Sequence, residues 1–361
     1  MKNTIDIFCD IIDNYGDIGI VYRLSKEFSL NNYNVRIFVN KLHEVTKIIE
    51  NFDEKLNYQK IEEIEFYNLD NFSVDKGGEI IIEAFGTNLP DSYVENLKPN
   101  SKIIINLEYL TAESWALDFH LKNSISPKAF IEKVFYMPGF VKNSGGIILD
   151  SNYLELSNNV RTNRKECFNK FYKKLNLKYN EESYYINIFT YKWEFEPFLE
   201  SLKGLDKKFV FFILDKRIEI PKEIPNNIEI YTLDYMKQKD FDIFINLSDF
   251  NFIRGEDSVI RTILSEIPFI WNIYPQEEDY HLVKLEAFLD RYENRESNFY
   301  KINWNFNSKL PFFNYFIDFI KEKKEFLKKD KETLIENCDL VTKLLNFIDS
   351  KLKNQEETKW N

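Results

Sequence analysis

The chain of 361 residues is 44% hydrophobic and 16% aromatic, enough for two domains of ordinary size, and its formal net charge is −11. This acidic balance argues against a nucleic-acid partner, because neutralising a phosphate backbone requires a basic surface. No apolar run reaches the roughly 20 residues of a membrane span, and the N-terminus lacks the apolar segment of a signal peptide, so we expect a cytoplasmic protein without a membrane anchor.

Short apolar strands alternate with helical patterns over residues 1–155. The predicted strands are residues 5–9, 35–39, 80–83 and 103–106, and the predicted helices are residues 18–28 and 45–49. Such alternation predicts a parallel sheet covered on both faces. We therefore expect an N-terminal Rossmann-like domain, followed by a polar and charged linker at residues 156–182.

The first strand leads into the segment DNYGDIG, residues 13–19. Its glycines, Gly16 and Gly19, allow a tight turn and a close backbone approach. In open α/β sheets, active sites lie beyond the carboxyl ends of the strands. Asp13 and Asp17 are therefore candidate functional residues, with an Asx turn and helix cap as the structural alternative; the residues alone do not decide between the two.

A second alternation of strands and helices occupies residues 183–334. The predicted strands are residues 184–189, 209–214 and 228–231, and the predicted helices are residues 195–202 and 241–247. Two Rossmann-like halves without a G-x-G-x-x-G fingerprint argue against a dinucleotide enzyme and favour a B-type glycosyltransferase. Helical patterns follow at residues 312–327 and 331–352, and by analogy with that fold we expect residues 335–361 to pack back on the first domain.

Within this second half, a strand that ends near Ile253 is followed by a charged turn and a short helix. A strand end followed by glycine and a helix start presents free backbone N–H groups, which suit an anion such as phosphate. Arg254 adds a permanently charged donor fork beside Gly255. Glu256 does not fit an anion site, and the simpler alternative is that Glu256 and Asp257 stabilise the helix start.

The motifs resemble those of the bacterial protein-arginine rhamnosyltransferases that modify elongation factor P. The resemblance is carried by DIFCDIIDNYGDIGIVYRLSKEF from residue 6, IIIEAFGTNLPDSY from residue 80, INLEYLTAESW from residue 105, MPGFVKNSGGIILD from residue 137, and RGEDS from residue 254 with IPFIWNIYPQEEDYHLVKLEAFLDRY after it. These segments stand in the order of that family and span most of the chain. The resemblance implies a B-type fold, with two Rossmann-like domains facing across a cleft.

The resemblance to this family also implies an inverting transfer of L-rhamnose from dTDP-β-L-rhamnose to an arginine of elongation factor P. A guanidinium has a pKa above about 12 and is a poor nucleophile, so the site must orient it and remove a proton. On the family's pattern Asp17 is the base, and Asp13 and Glu256 hold and orient the acceptor. Their coupled titration leaves the assignment among the three open.

The leaving diphosphate would be bound by Arg254 and by backbone N–H groups of residues 255–258, with the Ser258 hydroxyl assisting. An aromatic slot would hold the base, with Tyr235 where the family usually has Phe. The donor-binding residues that the resemblance implies are Phe189, Tyr191, Tyr235, Gln238, Arg254, Gly255, Asp257, Ser258 and Tyr274.

No metal or other cofactor is expected, because the three Cys and three His share no ligand spacing and no D-x-D motif is suitably placed. Asn272 stands where the family commonly has His, and no role is assigned to it. Two alternatives remain: a B-type glycosyltransferase with another nucleotide sugar or acceptor, and a non-catalytic module that binds a sugar nucleotide.

Overall fold

The computed structural model describes residues 2–12, 16–95, 101–125, 131–214, 218–292, 294–322 and 325–357. The chain divides into two compact units. Unit 1 comprises Met1–Asp150 with Thr333–Asn361, and unit 2 comprises Ser151–Glu332. Within the described ranges, no helix combines the length and the apolar character that crossing a membrane requires.

Unit 1 is built on an eight-stranded sheet. Its strands are β1 (Thr4–Cys9), β2 (Asn34–Val39), β3 (Tyr58–Ile61), β4 (Ile64–Asn68), β5 (Ile80–Ala84), β6 (Ile103–Leu107), β7 (Asn123–Ser124) and β8 (Lys133–Tyr136). They lie in the order β3-β4-β2-β1-β5-β6-β8-β7. The central pairs are parallel, and only the edge pairs β3–β4 and β7–β8 are antiparallel. The predicted parallel sheet is therefore present, with a short antiparallel strand at each edge.

Unit 2 is built on a five-stranded, fully parallel sheet. Its strands are β9 (Ser183–Phe189), β10 (Lys208–Ile213), β11 (Ile228–Thr232), β12 (Phe250–Ile253) and β13 (Phe269–Trp271). They lie in the order β11-β10-β9-β12-β13. The carboxyl ends of β9 and β12 are thus neighbours near the middle of the sheet.

The helices surround these sheets. Those that precede residue 151 are α1 (Gly16–Leu30), α2 (Leu42–Ile48), α3 (Asp91–Val94) and α4 (Trp115–Phe119). Those that follow are α5 (Ser151–Thr162), α6 (Arg164–Phe171), α7 (Glu196–Ser201), α8 (Gln238–Leu247), α9 (Glu256–Leu264), α10 (Tyr280–Leu289), α11 (Asn298–Asn307), α12 (Phe313–Phe319), α13 (Glu325–Asn337) and α14 (Leu340–Glu357). The division between the two units falls within α13.

The unit 1 sheet is buried on both faces, which explains why its strands read as apolar runs. Ile5 and Ile7 of β1 face a core that includes buried residues of α1 and α14. Phe8, on the opposite face of the same strand, stacks on Phe38 with ring centroids 4.4 Å apart. Period-two alternation thus sends neighbouring residues of β1 into two different cores.

Glycine is required where the chain returns to unit 1 at the start of α14. The backbone N–H of Ile147 donates to the carbonyl of Cys338 at 2.7 Å, and Leu340 N–H donates to the Ile147 carbonyl at 2.9 Å. Gly146 has φ +82°, and an added Cβ would overlap the Cys338 carbonyl oxygen. Gly146, in the motif that starts at Met137, therefore serves the attachment of α14 to unit 1.

Residues 156–182 do not form the linker that their polar composition predicted. Helices α5 and α6 belong to unit 2, and Val160, Phe168 and Tyr172 are buried in its core. A few apolar residues at helical spacing are enough to bury one face of a helix whose other face is charged. Average polarity therefore concealed an amphipathic pattern.

The prediction for the C-terminal helices is also wrong, because a single predicted helix is two helices in the structure. The sequence predicted one helix over residues 331–352, whereas α13 ends at Asn337 and α14 begins at Leu340. The break coincides with the backbone pairing of Ile147 with Asp339. A tertiary contact about 190 residues distant in sequence therefore interrupts an otherwise continuous helical periodicity.

Candidate functional site

The candidate site of unit 1 is the connection between β1 and α1. Asp17 lies in the first turn of α1 and is only 1% exposed. One carboxylate oxygen, Oδ2, accepts a hydrogen bond from the backbone N–H of Ile12 at 2.8 Å. The other, Oδ1, accepts from the Tyr109 hydroxyl at 3.2 Å. Two donors thereby fix the plane of this buried carboxylate.

Side chains at the ends of neighbouring strands hold the same connection. The N–H of Asp10 donates to Thr87 Oγ1, just beyond β5, at 2.8 Å. The N–H of Ile11 donates to Asn40 Oδ1, just beyond β2, at 2.8 Å. Because β2 and β5 flank β1, the polar residues that follow those two strands converge on the loop that follows β1.

Burial and two nearby carboxylates keep the Cys9 thiol, at the end of β1, uncharged. Burial raises the pKa of the Cys9 thiol well above its ordinary value, and the charges of Asp17 and Asp10 raise it further. Cys9 therefore stays a neutral thiol at physiological pH. Asp13, which the sequence analysis grouped with Asp17, lies outside the described residues.

The candidate site of unit 2 is the turn between β12 and α9. Gly255 has φ 76° and ψ 151°, a conformation that essentially only glycine adopts. This residue lets the chain reverse directly from the strand into α9, so that the first N–H groups of α9 stand at the carboxyl edge of the sheet. Ser258 is buried, and its carbonyl accepts a hydrogen bond from the Thr262 hydroxyl at 2.6 Å.

Arg254 is clamped between two aromatic rings. Its guanidinium carbon lies 4.7 Å from the ring centroid of Phe189 and 4.8 Å from that of Tyr191. The Tyr191 ring meets Tyr274 edge-on at 5.4 Å, and Tyr274 is 59% exposed. Stacking on aromatic faces fixes the plane of a guanidinium, so this arginine is held in one orientation.

Asn272 takes part in this arrangement, although the sequence analysis assigned it no role. Its Oδ1 accepts the backbone N–H of Tyr191 at 2.8 Å. Asn272 immediately follows β13, and Tyr191 lies two residues beyond β9. The available signal was a polar side chain directly after a buried strand, the same signal that drew attention to the other loops.

The two carboxylates of the turn have local cationic partners. Glu256 forms an ion pair with Lys284 of α10. Asp257 lies 3.3 Å from the guanidinium of Arg261, one helical turn further on, and Arg261 stacks on Tyr153 at 4.7 Å. Asp257 is thus paired within α9, whereas Glu256 is bridged to a second helix, α10.

Tyr235 and Gln238 lie at the same edge of the sheet but in another part of it. They follow β11, the edge strand, which is separated from β9 by β10. Tyr235 is 41% exposed and Gln238 is 9% exposed. Of the nine expected donor-binding residues, the structure therefore joins Phe189, Tyr191, Arg254 and Tyr274 in one cluster.

The geometry suits anionic and aromatic ligands in unit 2 and cationic ligands in unit 1. A fixed guanidinium next to a helix start binds phosphate-like groups, and aromatic rings stack on flat ligands. A buried, oriented carboxylate binds a cation or takes up a proton. In the described parts of the chain, no cluster of three or more His, Cys, Asp or Glu side chains is suited to hold a metal ion.

Comparison with solved structures shows the fold class of this protein. One structure, described as "Structural basis for EarP-mediated arginine glycosylation of translation elongation factor EF-P", covers 97% of this chain and 99% of its own with a TM-score of 0.65 and 21% identity. Arabidopsis thaliana UGT89C1 in complex with quercetin matches 97% of this chain and all of its own, 100%, with a TM-score of 0.50 and 9% identity. The predicted B-type glycosyltransferase fold is confirmed.

Sequence comparison then identifies the family. The profile of the family described as Elongation-Factor P (EF-P) rhamnosyltransferase EarP matches residues 5–349. A protein-arginine rhamnosyltransferase of Shewanella oneidensis is 32% identical over 80% of this chain and 80% of its own length. Another from Pseudomonas putida is 30% identical over 81% of this chain and 82% of its own. The chain belongs to the EF-P rhamnosyltransferase family EarP, and it is a glycosyltransferase.

Proposed function

We propose that this enzyme transfers L-rhamnose, with inversion, from dTDP-β-L-rhamnose to an arginine side chain of elongation factor P. The observation that carries this proposal is the family match over residues 5–349. The names of the relatives, protein-arginine rhamnosyltransferase, support the sugar and the acceptor side chain. A translation factor as acceptor would place the reaction in the cytoplasm.

On the acceptor side, Asp17 acts as the base. A guanidinium nitrogen attacks the anomeric carbon as the bond from that carbon to the diphosphate oxygen breaks. The attacking nitrogen loses a proton to Asp17, and the diphosphate takes the electron pair of the broken bond. The fixed carboxylate plane supports this role, because a pre-oriented base needs little reorganisation.

Asp13 and Glu256 hold and orient the acceptor guanidinium in this mechanism. Carboxylates bind the guanidinium fork with charge-assisted hydrogen bonds. Glu256 is ion-paired with Lys284, and the acceptor guanidinium would add a second cation beside it. Inversion follows from attack on the face of the sugar opposite the leaving group, so the β-linked donor gives an α-linked product.

On the donor side, Arg254 and the N–H groups of residues 255–258 stabilise the diphosphate as it gains charge, with the Ser258 hydroxyl assisting. Phe189, Tyr191, Tyr235 and Tyr274 supply aromatic surface for the base and sugar, and Gln238 reads the base edge. Asp257, which is ion-paired with Arg261 in α9, completes the donor-binding residues. We propose that these groups stabilise the leaving group without a metal ion.

Intact-mass spectrometry tests the proposal. The purified enzyme is incubated with dTDP-β-L-rhamnose and elongation factor P from the same organism. The acceptor is expected to gain the mass of one deoxyhexose, and tandem fragmentation is expected to place it on an arginine. An acceptor variant with that arginine replaced by lysine is the control, and its mass should stay unchanged.

Two other results would contradict the proposal. Transfer from another nucleotide sugar only, in a panel of donors, would indicate a B-type glycosyltransferase of different specificity. Binding of dTDP by calorimetry without any transfer, while an active relative modifies the same acceptor preparation, would indicate a non-catalytic module.

A further inference from the structure

A strained turn follows β5 in unit 1. Phe85 has φ +56° and Gly86 has φ +76°. Left-handed conformations are unfavourable for a bulky residue, so the surroundings must hold Phe85 there. Backbone hydrogen bonds do so: Phe85 N–H donates to the Leu107 carbonyl at 2.8 Å, and Thr87 N–H donates to the Ala84 carbonyl at 3.1 Å. Strain of this kind gathers at functional sites.

The turn supports the Asp17 loop at two points. The Phe85 ring stacks on the Tyr109 ring, with centroids 4.6 Å apart and planes 20° apart, and the Tyr109 hydroxyl donates to Asp17 Oδ1 at 3.2 Å. Thr87 Oγ1 accepts the N–H of Asp10 at 2.8 Å. The backbone of one strained turn therefore places both the ring beneath Tyr109 and the acceptor for the start of the loop.

We propose that Tyr109 is a positioning residue for the base of the transfer reaction. Its hydroxyl holds the Asp17 carboxylate in its ionised form and sets its rotation, while Phe85 and the strained turn fix the phenol itself. This inference rests on the proposed function, in which Asp17 removes the acceptor proton. Among the titratable groups nearby, the Cys9 thiol senses the charges of Asp17 and Asp10, which add to the effect of burial in raising its pKa.

A hydrogen bond from a phenol to a carboxylate favours the charged form of the carboxylate. Without it, Asp17 keeps the hydrogen bond from the Ile12 N–H to Oδ2 and loses the one from the Tyr109 hydroxyl to Oδ1. The carboxylate then takes up its proton at higher pH and can rotate, so that the base is both less often ionised and less well aimed.

The test compares Tyr109→Phe with Tyr33→Phe. Tyr33 lies in the same unit, and its hydroxyl donates to the carboxylate of Asp349, also at 3.2 Å. Each variant therefore loses one phenol–carboxylate hydrogen bond of the same length. Thermal unfolding verifies that both fold, and kcat and KM are measured with dTDP-β-L-rhamnose and elongation factor P.

A spectroscopic measurement needs no substrate. In enzyme labelled with ¹³C at the aspartate carboxyl carbons, the Asp17 resonance is assigned from the spectrum of Asp17→Asn and followed with pH. Tyr109→Phe is expected to move its midpoint up by about one pH unit. It is also expected to lower kcat about tenfold, with both KM values within about twofold of the wild type. Tyr33→Phe should leave all of these quantities unchanged.

An unchanged Asp17 midpoint in Tyr109→Phe would overturn the inference, as would a shifted midpoint with wild-type kcat. Equal losses in Tyr109→Phe and Tyr33→Phe would overturn it too, because they would reflect general stability. A wild-type enzyme that modifies no acceptor would count against the proposed function instead, and the carboxyl titration distinguishes the two failures because it is read without substrates.

Discussion

At the scale of single residues, polar side chains directly after buried strands hold the loops at the carboxyl edge of both sheets. Asn40 and Thr87 accept backbone N–H groups of the Asp10–Ile11 segment in unit 1. Asn272 does the same for Tyr191 in unit 2. Each bond satisfies a loop N–H group that belongs to no strand or helix, so the loop keeps one conformation.

Replacing Asn272 is expected to weaken donor binding more than it slows the reaction. Asn272→Ala removes the acceptor for the Tyr191 N–H, so the ring that clamps Arg254 loses one of its supports. A neutral hydrogen bond contributes about 0.5–1.5 kcal/mol, which corresponds to a dTDP dissociation constant about 2–10-fold higher. Calorimetric titration with dTDP measures this change.

Asn305→Ala is the matched control, because the Asn305 side chain donates to the Pro311 carbonyl at an exposed site of the same unit. If both variants bound dTDP with the wild-type dissociation constant, the clamp around Arg254 would not depend on Asn272.

The order of residue types along the chain was enough to locate the β1–α1 connection and the β12–α9 turn. It did not reveal which side chains form hydrogen bonds or ion pairs there. Asp17 and Tyr109 are 92 positions apart, and Glu256 and Lys284 are 28 apart. Strand ends can be recognised from local patterns of hydrophobicity and glycine. Hydrogen bonds between loops depend on strand order and helix packing, which local patterns do not determine.

At the scale of elements, the attachment of α14 to unit 1 depends on a backbone approach that excludes side chains. Leu340, Val341, Leu344 and Ile348 of α14 are buried in the main core of unit 1. The start of the helix is fixed by the hydrogen bonds of Ile147 with Cys338 and Leu340. The fold analogy predicts this helix on the first domain, whereas the break before it depends on the Ile147 contact, which local sequence does not reveal.

Gly146→Ala is expected to destabilise unit 1 strongly. Its φ is +82°, and the new Cβ would overlap the Cys338 carbonyl, so strain and overlap together should cost about 2–4 kcal/mol. Gly86→Ala is the matched control, because Gly86 has φ +76° with nothing within 4 Å of an added Cβ. The control carries only the strain of a left-handed alanine, about 1 kcal/mol.

Urea unfolding followed by tryptophan fluorescence and circular dichroism compares the two variants. Equal losses of unfolding free energy in Gly146→Ala and Gly86→Ala would mean that the close approach to Cys338 does not matter for the attachment of α14.

At the scale of the whole molecule, His120 links stability to pH. Its Nδ1 accepts the Met137 N–H at 3.1 Å, and burial, with a smaller contribution from Lys343, lowers the pKa of His120 to about 4. The ordinary histidine pKa is about 6.5, so the unfolded chain binds a proton that the folded chain does not bind between these values. Stability is therefore lost as pH falls from about 6.5 to about 4.

His120→Asn is expected to reduce this acid loss, because an amide oxygen can accept the same N–H group without titrating. The difference in unfolding free energy between pH 7 and pH 4.5 should shrink by on the order of 1 kcal/mol, a value discounted for the partial solvent exposure of the imidazole. His43→Asn, at a surface position, is the control. If the unfolding free energy of His120→Asn depended on pH as that of the wild type does, His120 would not be a source of the acid loss of stability.

Also at this scale, the proposed reaction assigns Asp17 and Glu256 to one chemical step. Asp17 belongs to unit 1 and Glu256 to unit 2. Groups that serve the same step lose their effects together, so their replacement is far from additive. Groups that serve separate steps or sites give multiplicative losses.

The decisive measurement is the single-turnover rate of rhamnosyl transfer by the wild type, Asp17→Asn, Glu256→Gln and the double variant. Asp17→Asn is expected to lower the rate by a factor of about 10²–10⁴, the usual range for loss of a general base. The double variant is expected to react no more slowly than the slower single variant. A double-variant loss equal to the product of the two single losses, or a wild-type rate for Glu256→Gln, would contradict the proposed joint role of Asp17 and Glu256.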